Sequence, residues 1–508
     1  MRVLLFGIDG LTFRILHPLM ERGLLPNFQR LHNDGVQGVL QSTVPPLAPP
    51  GWMSISTGLS PAKHGVYDFW DFEQTEQGLQ THVVTHRKGG KAIWNILSEW
   101  GKQVVVANVP ITYPPEPVNG IMLSGYMAPS MEADVTFPTS FKEELLQAVP
   151  NYQIDLNPAV SSSQGDNLLS ETLVLTRNRI TMLRLLLSKP WDFFFIVFTG
   201  ADRIQHLRWD EIMAFSPQAV QYYQMLDEAL GIALKALKPE DMLMVVSDHG
   251  FQGAHRKFYI QEYLHKHELL RMSHRSARLR VELVDWTRSL VWAMGLRNVP
   301  TRLRRQLHRL GVIPTTKKHP VVPIPDLDWA NTLAWLPSSS GSIAGYADIL
   351  FADTMTEEGI SELRSALQEI RHPETGQTLL TQTYREDIFG TGPFAPRERH
   401  LVLLSHENIA LLPDLGPRQL WNRWDMSSGI HHSDGVLYLY GAGIKKGITI
   451  SPTHVYDVVP TILSYMGISL PAELDGTMMK DAFEQPPSSH PNAKGDSDLK
   501  RKLSMLAN

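Results

Sequence analysis

Val3-Leu4-Leu5-Phe6-Gly7-Ile8-Asp9-Gly10 begins with an unbroken apolar run and ends on a carboxylate and a glycine. A run with no polar alternation, closed by turn residues, is the pattern of a strand buried on both faces. Comparable runs occur at 104–107, 193–198, 243–246 and 436–440. Stretches of helical character lie between them, for example 92–100 and 219–237. Strands alternating with helices predict an α/β fold with a mostly parallel central sheet and helices on both faces.

The 508 residues suit one large α/β unit with insertions as well as they suit two domains. The reading assigns 1–260 to the N-terminal part of the core and 261–399 to a basic helical insertion and cap. It returns 400–484 to the core and leaves 485–508, rich in Pro, Ser, Asn and Lys, as a disordered tail. The net charge of −5 supplies no general attraction to nucleic acid, and no nucleic-acid polymer is expected as a partner. Because the chain has no cysteine, a metal would have to be held by His, Asp and Glu. The first apolar run is too short for a signal-peptide core, and no stretch reaches the roughly 20 apolar residues that span a bilayer. The expectation is a soluble, cytoplasmic protein.

Between Tyr263 and Lys318, arginines at 271, 275, 278, 280, 288, 302, 304, 305 and 309 recur among Leu, Val and Trp. This basic insertion reads as a solvated helical face, or as a contact surface for an anionic substrate or membrane headgroups.

Three carboxylates stand just past the C-terminal ends of predicted strands: Asp9, Asp202 and Asp248. Ligands bind at that edge of an open α/β sheet. Asp202 and His206 are four residues apart, on one face of a helical turn. Asp248 and His249 are adjacent, held between a strand and Gly250. His431 lies in Gly429-Ile430-His431-His432-Ser433-Asp434-Gly435, read as a loop leading into the run at 436. Three carboxylates and three imidazoles suffice for two zinc-like ions about 4 Å apart, as two-metal hydrolases require.

The order IDG (8–10), STGLSPAKHG (56–65), ADRIQH (201–206), SDHGF (247–251) and GIHHSDG (429–435) resembles the alkaline phosphatase superfamily. The nearest likeness is to its type I phosphodiesterase and nucleotide pyrophosphatase branch, among bacterial and archaeal phosphohydrolases or phosphomutases. Segments 372–389 and 456–476 resemble the same group. The resemblance implies an alkaline-phosphatase-like fold and two divalent metal ions, zinc favoured and manganese the alternative. Asp202, His206 and His431 are implied as ligands of one ion, and Asp9, Asp248 and His249 as ligands of the other. It also implies a small-molecule phosphoester or phosphate anion as partner. His64, in the TG-x-x-P-x-x-HG segment, reads as structural or as a residue on the substrate side.

In that group a threonine directly before Pro-Pro supplies the attacking hydroxyl. Here the segment is PPLAPPGWMSISTG, and the position is Ala48. With Pro49 and Pro50 read as the first helical turn, Ala48 is predicted to be the N-cap, where a hydroxyl is preferred by about 1 kcal/mol. Residues 49–51 are expected to add amide donors and a favourable dipole for an anion. Ser42, Thr43, Ser54 and Ser56 are the nearest alternative hydroxyls. Without an ionised threonine, two divalent ions outweigh the three carboxylates by one positive charge, which suits phosphate binding.

Three functions remain open at this level. They are a phosphodiesterase or pyrophosphatase site silenced at Ala48, a phosphomutase or phosphotransferase, and a non-catalytic metal-dependent anion binder. Arg203 and Lys63 are expected either to touch substrate oxygens or to pair at the surface. Selectivity is expected to reside in the basic insertion and in loops such as 67–70 and 338–345, where Tyr67, Phe69 and Trp70 either stack on a base or sugar or serve packing.

Overall fold

The computed structural model describes residues 1–75, 78–156, 167–273, 327–336, 345–396, 399–415 and 419–487. The arginines at 275–309, the loop 338–344 and the tail beyond 487 lie outside the described residues. The chain divides into two compact units. The first is Met1–Gly253 with Phe389–Pro396 and Ser427–Asn508, and the second is Ala254–Ile388 with Arg397–Met426. These boundaries differ from the 260, 399 and 484 expected from the sequence.

The first unit is built on a ten-stranded sheet. In chain order its strands are β1 (Val3–Ile8), β2 (Val36–Gln41), β3 (Val104–Val109), β4 (Gly120–Ser124), β5 (Thr136–Phe137), β6 (Phe193–Phe198), β7 (Met242–Val246), β8 (Asp434–Gly441), β9 (Ile448–Thr449) and β10 (Thr453–His454). Across the sheet they run β9-β2-β8-β7-β1-β6-β3-β4-β5, with β10 beside β2. The five strands from β7 to β4 are mutually parallel. β8 lies antiparallel to both β7 and β2.

The apolar runs form strands because each face has a core to fill. On one face Leu4, Phe6 and Ile8 of β1 pack with the helices Leu168–Leu187 and Pro217–Ala236. On the other, Val3 and Leu5 pack with the helices Ala48–Thr57, Ile93–Glu99 and Val458–Tyr465. Both residues of each adjacent pair are therefore buried, which is why alternation is missing from the sequence. Phe6 stacks on Phe198 with ring centroids 5.1 Å apart, which fastens β1 to β6. The predicted mostly parallel α/β sheet covered on both faces is the observed one.

In the second unit, Gly250–Tyr259 pairs in parallel with Asn408–Leu412 from Ala254 onward. A four-stranded antiparallel sheet runs Ala334–Trp335, Tyr346–Phe351, His400–Ser405, Leu380–Arg385. The helices Ile260–Lys266 and Glu357–Glu369 share its core. Among the described residues, no helix is long and apolar enough to cross a membrane.

Candidate metal centre

All six sequence-predicted residues lie in the first unit and are brought together at the C-terminal ends of the parallel strands. Asp9 directly follows β1, and its N–H donates to the Phe198 carbonyl at the end of β6. Gly10 then turns the chain with φ +70°; a side chain there would collide with the Phe251 ring. The Gly10 N–H donates to Asp248 Oδ1 at 3.2 Å, so the turn after β1 orients the carboxylate after β7. Asp202 sits in the first turn of the helix Gly200–Met213, where the helix dipole favours negative charge. His206 is one turn further along.

The structure corrects the reading of His431. It lies not in a loop but near the end of the strand Trp421–His432. Its neighbour Gly429 explains the extended path, because a Cβ there would lie 2.6 Å from the Gln205 carbonyl oxygen. Glycine lets this backbone come close to the Asp202 helix.

The donor atoms converge. Asp202 Oδ1, His206 Nε2 and His431 Nε2 are separated by 3.2, 3.1 and 2.9 Å. His249 Nε2 is 3.5 Å from Asp9 Oδ1 and 3.3 Å from Asp248 Oδ2. The His249 and His431 rings stack at 3.7 Å, which links the two sets. Asp9, Asp248 and His249 form one group able to hold a metal ion; Asp202, His249 and His431 form another.

The tautomers follow from the second nitrogens. His206 Nδ1 faces the Gly429 carbonyl at 3.1 Å, His249 Nδ1 the Gly250 carbonyl at 3.1 Å, and His431 Nδ1 the Pro46 carbonyl at 2.8 Å. A carbonyl only accepts, so each Nδ1 carries the proton and each Nε2 presents a lone pair inward. Lone pairs and carboxylate oxygens 2.9–3.5 Å apart repel unless a cation lies among them. Two donors at about 2.0–2.1 Å from a tetrahedral ion would themselves be roughly 3.4 Å apart. Asp9 Oδ1, Asp248 Oδ2 and His249 Nε2 are buried with no hydrogen-bond partner. The donor set fits a divalent cation.

The electrostatics carry the same signature. Burial, then the nearby carboxylates, push the Asp9 carboxyl well above the usual range, and burial does the same to Asp248. Burial also presses on Asp202, but positive charge and N–H donation on the His206 and His431 side, followed by the Arg203 guanidinium, override it and hold this carboxyl well below the usual range; with both Nε2 atoms unprotonated, a bound cation would supply that charge instead. Burial keeps His249 and His431 neutral, the form that can act as a ligand.

Ala48 stands among these residues. The Pro46 carbonyl accepts from His431, a Cβ on Gly51 would lie 3.0 Å from Asp248 Cβ, and Trp52 Nε1 donates to Asp9 Oδ2 at 3.3 Å. The N-cap of this helix is Leu47, not Ala48 as expected. Leu47 is extended (φ −118°, ψ 149°) and its carbonyl accepts from the Gly51 N–H, so Ala48 is the first helical residue. The N-cap penalty argued from sequence therefore does not apply. The amide donors expected at 49–51 are also absent, because two of these residues are prolines and the Gly51 N–H is engaged. Of the alternative hydroxyls, Thr43 donates to the Pro45 carbonyl and Ser56 to the Trp52 carbonyl. Ser42 Oγ is buried without a partner.

His64 is structural. Its Nδ1 accepts from the Val66 N–H at 3.1 Å, so Nε2–H donates to Ser54 Oγ at 3.1 Å. Burial lowers its pKa from 6.5 to about 3. The unfolded chain takes up this proton below pH 6.5, while the fold refuses it until about pH 3. Stability is thus lost as pH falls through that window, by at most about 1.4 kcal/mol per pH unit. A His64→Gln chain should show a smaller drop in urea midpoint between pH 7 and pH 5 than the unaltered chain.

Lys63 pairs with Asp475 at 2.6 Å, the surface pairing anticipated for it. Tyr67 is engaged in packing, its hydroxyl donating to the Phe394 carbonyl and its ring edge-on to Phe389. Phe69 packs edge-on to Tyr126, while Trp70 is exposed. Arg203 is not a surface residue. It reaches both Asp202 and Asp155, a contact the sequence did not reveal.

Comparison with known proteins supplies the family. No curated protein sequence matches the chain. Among solved structures, murine ectonucleotide pyrophosphatase/phosphodiesterase 5 superposes with a TM-score of 0.54 at 13% identity, covering 95% of this chain and 100% of that one. An inactive threonine-to-alanine variant of it, in complex with AMP, superposes at 0.52. Phosphonoacetate hydrolase from Sinorhizobium meliloti 1021, in complex with phosphonoformate, gives 0.54 at 14% identity over 90% of this chain and 93% of that one. At such identities the likeness is one of fold, the alkaline-phosphatase-like fold that the motifs implied. Residues 3–300 match the family described as type I phosphodiesterase/nucleotide pyrophosphatase, so the chain belongs to that phosphoester-hydrolase family.

Proposed function

We propose that this chain binds a small phosphoester or phosphate anion through two divalent cations, and that alanine at position 48 leaves it with little or no turnover. One cation is assigned to Asp202, His206 and His431, and the other to Asp9, Asp248 and His249. Zinc is the favoured ion, since the donors are imidazoles and carboxylates, and manganese is the alternative. The observation that carries the reading is the set of three Nδ1–H donors tied to backbone carbonyls, which aims the Nε2 lone pairs of His206 and His431 at Asp202 Oδ1 and that of His249 at Asp9 Oδ1 and Asp248 Oδ2, the latter two oxygens without partners.

Bound cations supply Lewis acidity toward phosphoryl oxygens and offset their charge. The chain itself does the rest. Trp52 and Gly10 hold the carboxylates of Asp9 and Asp248, and three carbonyls fix the imidazoles. The helix that starts at Ala48 turns its positive end toward the site, and threonine in that place would present a hydroxyl for attack on phosphorus. Alanine cannot. The complex of AMP with an inactive threonine-to-alanine variant of the murine neighbour supports a reading in which this exchange leaves ligand binding intact.

Isothermal titration of phosphate and of AMP into zinc-loaded and EDTA-stripped protein tests this. Binding at least about tenfold tighter with zinc is expected. Equal affinity in both states would count against the proposal.

A further inference from the structure

The contacts of Asp202 divide between its two oxygens. Oδ1 faces His206 and His431, while Oδ2 accepts from Arg203 Nη1 at 3.0 Å. The rest of the Arg203 fork is used elsewhere: Nε and Nη2 both reach Asp155 Oδ2, at 3.2 and 2.7 Å. The guanidinium lies 4.2 Å from the centre of the Tyr126 ring, and the side chains of Arg203 and Asp155 are only 16% and 11% exposed. Asp155 Oδ1 accepts from Thr199 Oγ1, which in turn accepts from Nη1 of the buried Arg179. Charges alternate in sign outward from Asp202 through Arg203 and Asp155 toward Arg179.

A largely buried guanidinium beside a cation site poses a problem. It orients the carboxylate, yet its charge opposes any cation that the carboxylate holds, and the low-dielectric surroundings screen this poorly. Asp155 answers it, bonded to the guanidinium on the side away from Asp202.

We infer that Arg203 is a positioning residue for Asp202, gripping Oδ2 so that Oδ1 alone is offered on the imidazole side, and that Asp155 masks the Arg203 charge from the cation. This rests on the metal-binding reading above. The fork is what makes the arrangement work, since a planar guanidinium bonds both carboxylates at once whereas an ammonium on a flexible stem does not. Neither carboxylate is adjacent to the other in sequence, yet Arg203 couples them into one unit.

Zinc titration by calorimetry on the full-length chain tests both halves. Asp155→Asn should weaken one zinc site about tenfold, in the range for groups that orient metal ligands. Asp155→Glu, which keeps the charge, should stay close to the unaltered protein. Adding Arg203→Gln to Asp155→Asn should restore part of the lost affinity, because the unmasked charge goes too. Arg203→Lys keeps the charge without the fork and should also lose about tenfold. Masking is overturned if Asp155→Asn binds zinc like the unaltered chain, if Asp155→Glu is equally weak, or if the double variant is no tighter than Asp155→Asn. Positioning is overturned if Arg203→Lys leaves affinity unchanged. An unaltered chain that takes up no zinc overturns the metal reading as well, whereas zinc uptake indifferent to these residues overturns this inference alone.

Discussion

Ala48→Thr is expected to raise zinc-dependent hydrolysis of a chromogenic phosphodiester on the order of 10³-fold or more, the scale on which removing a nucleophile acts. Position 48 lies between Pro46, whose carbonyl holds His431, and Gly51 and Trp52, which contact Asp248 and Asp9. A hydroxyl added there is expected to face the donor set with these supports left in place. The exchange should be nearly neutral for stability: position 48 is the first helical residue rather than the cap, and the threonine propensity deficit is about 0.5 kcal/mol. Ala48→Val is the informative control, matching threonine in shape and lacking the oxygen. Equal rates for the threonine and valine variants would remove position 48 from the chemistry.

His249→Ala is the second large effect, with zinc affinity expected to fall by about 100-fold or more. His249 belongs to both candidate groups, and its ring stacks on His431. Its loss therefore strips one group of a donor and leaves Asp9 and Asp248 as buried carboxylates with no imidazole between them. His64→Gln provides the contrast. His64 is as deeply buried, but Val66 and Ser54 occupy its two nitrogens, so zinc affinity should not change. If both variants lose zinc alike, the effect is one of folding and the assignment of His249 fails.

Much of this was legible in the sequence because its signals are local. The runs at 3–6, 193–198 and 243–246 read as buried strands since both faces of the sheet are covered, and Asp9, Asp202 and Asp248 follow from strand ends. What escaped was set by distant partners. A separation of 48 positions between Asp155 and Arg203 matches no helical or strand contact, so the pair leaves no local signal and Arg203 reads as a surface group. The carbonyls that fix the imidazoles belong to Pro46, Gly250 and Gly429, and a backbone oxygen leaves no mark in composition. Pro49-Pro50 signals a helix start correctly but points to Ala48 as its cap, one residue too late; the cap is the buried, extended Leu47. Gly429, Ser433 and Gly435 resemble turn residues and so suggest a loop at His431, whereas the glycine at 429 serves close approach of a strand to the Asp202 helix.

Whether these six side chains hold two divalent cations can be seen by anomalous scattering at the zinc edge from crystals of the zinc-soaked chain. Two peaks about 4 Å apart are expected, one against Asp202, His206 and His431 and the other against Asp9, Asp248 and His249. Crystals with no zinc peak among these residues would contradict it.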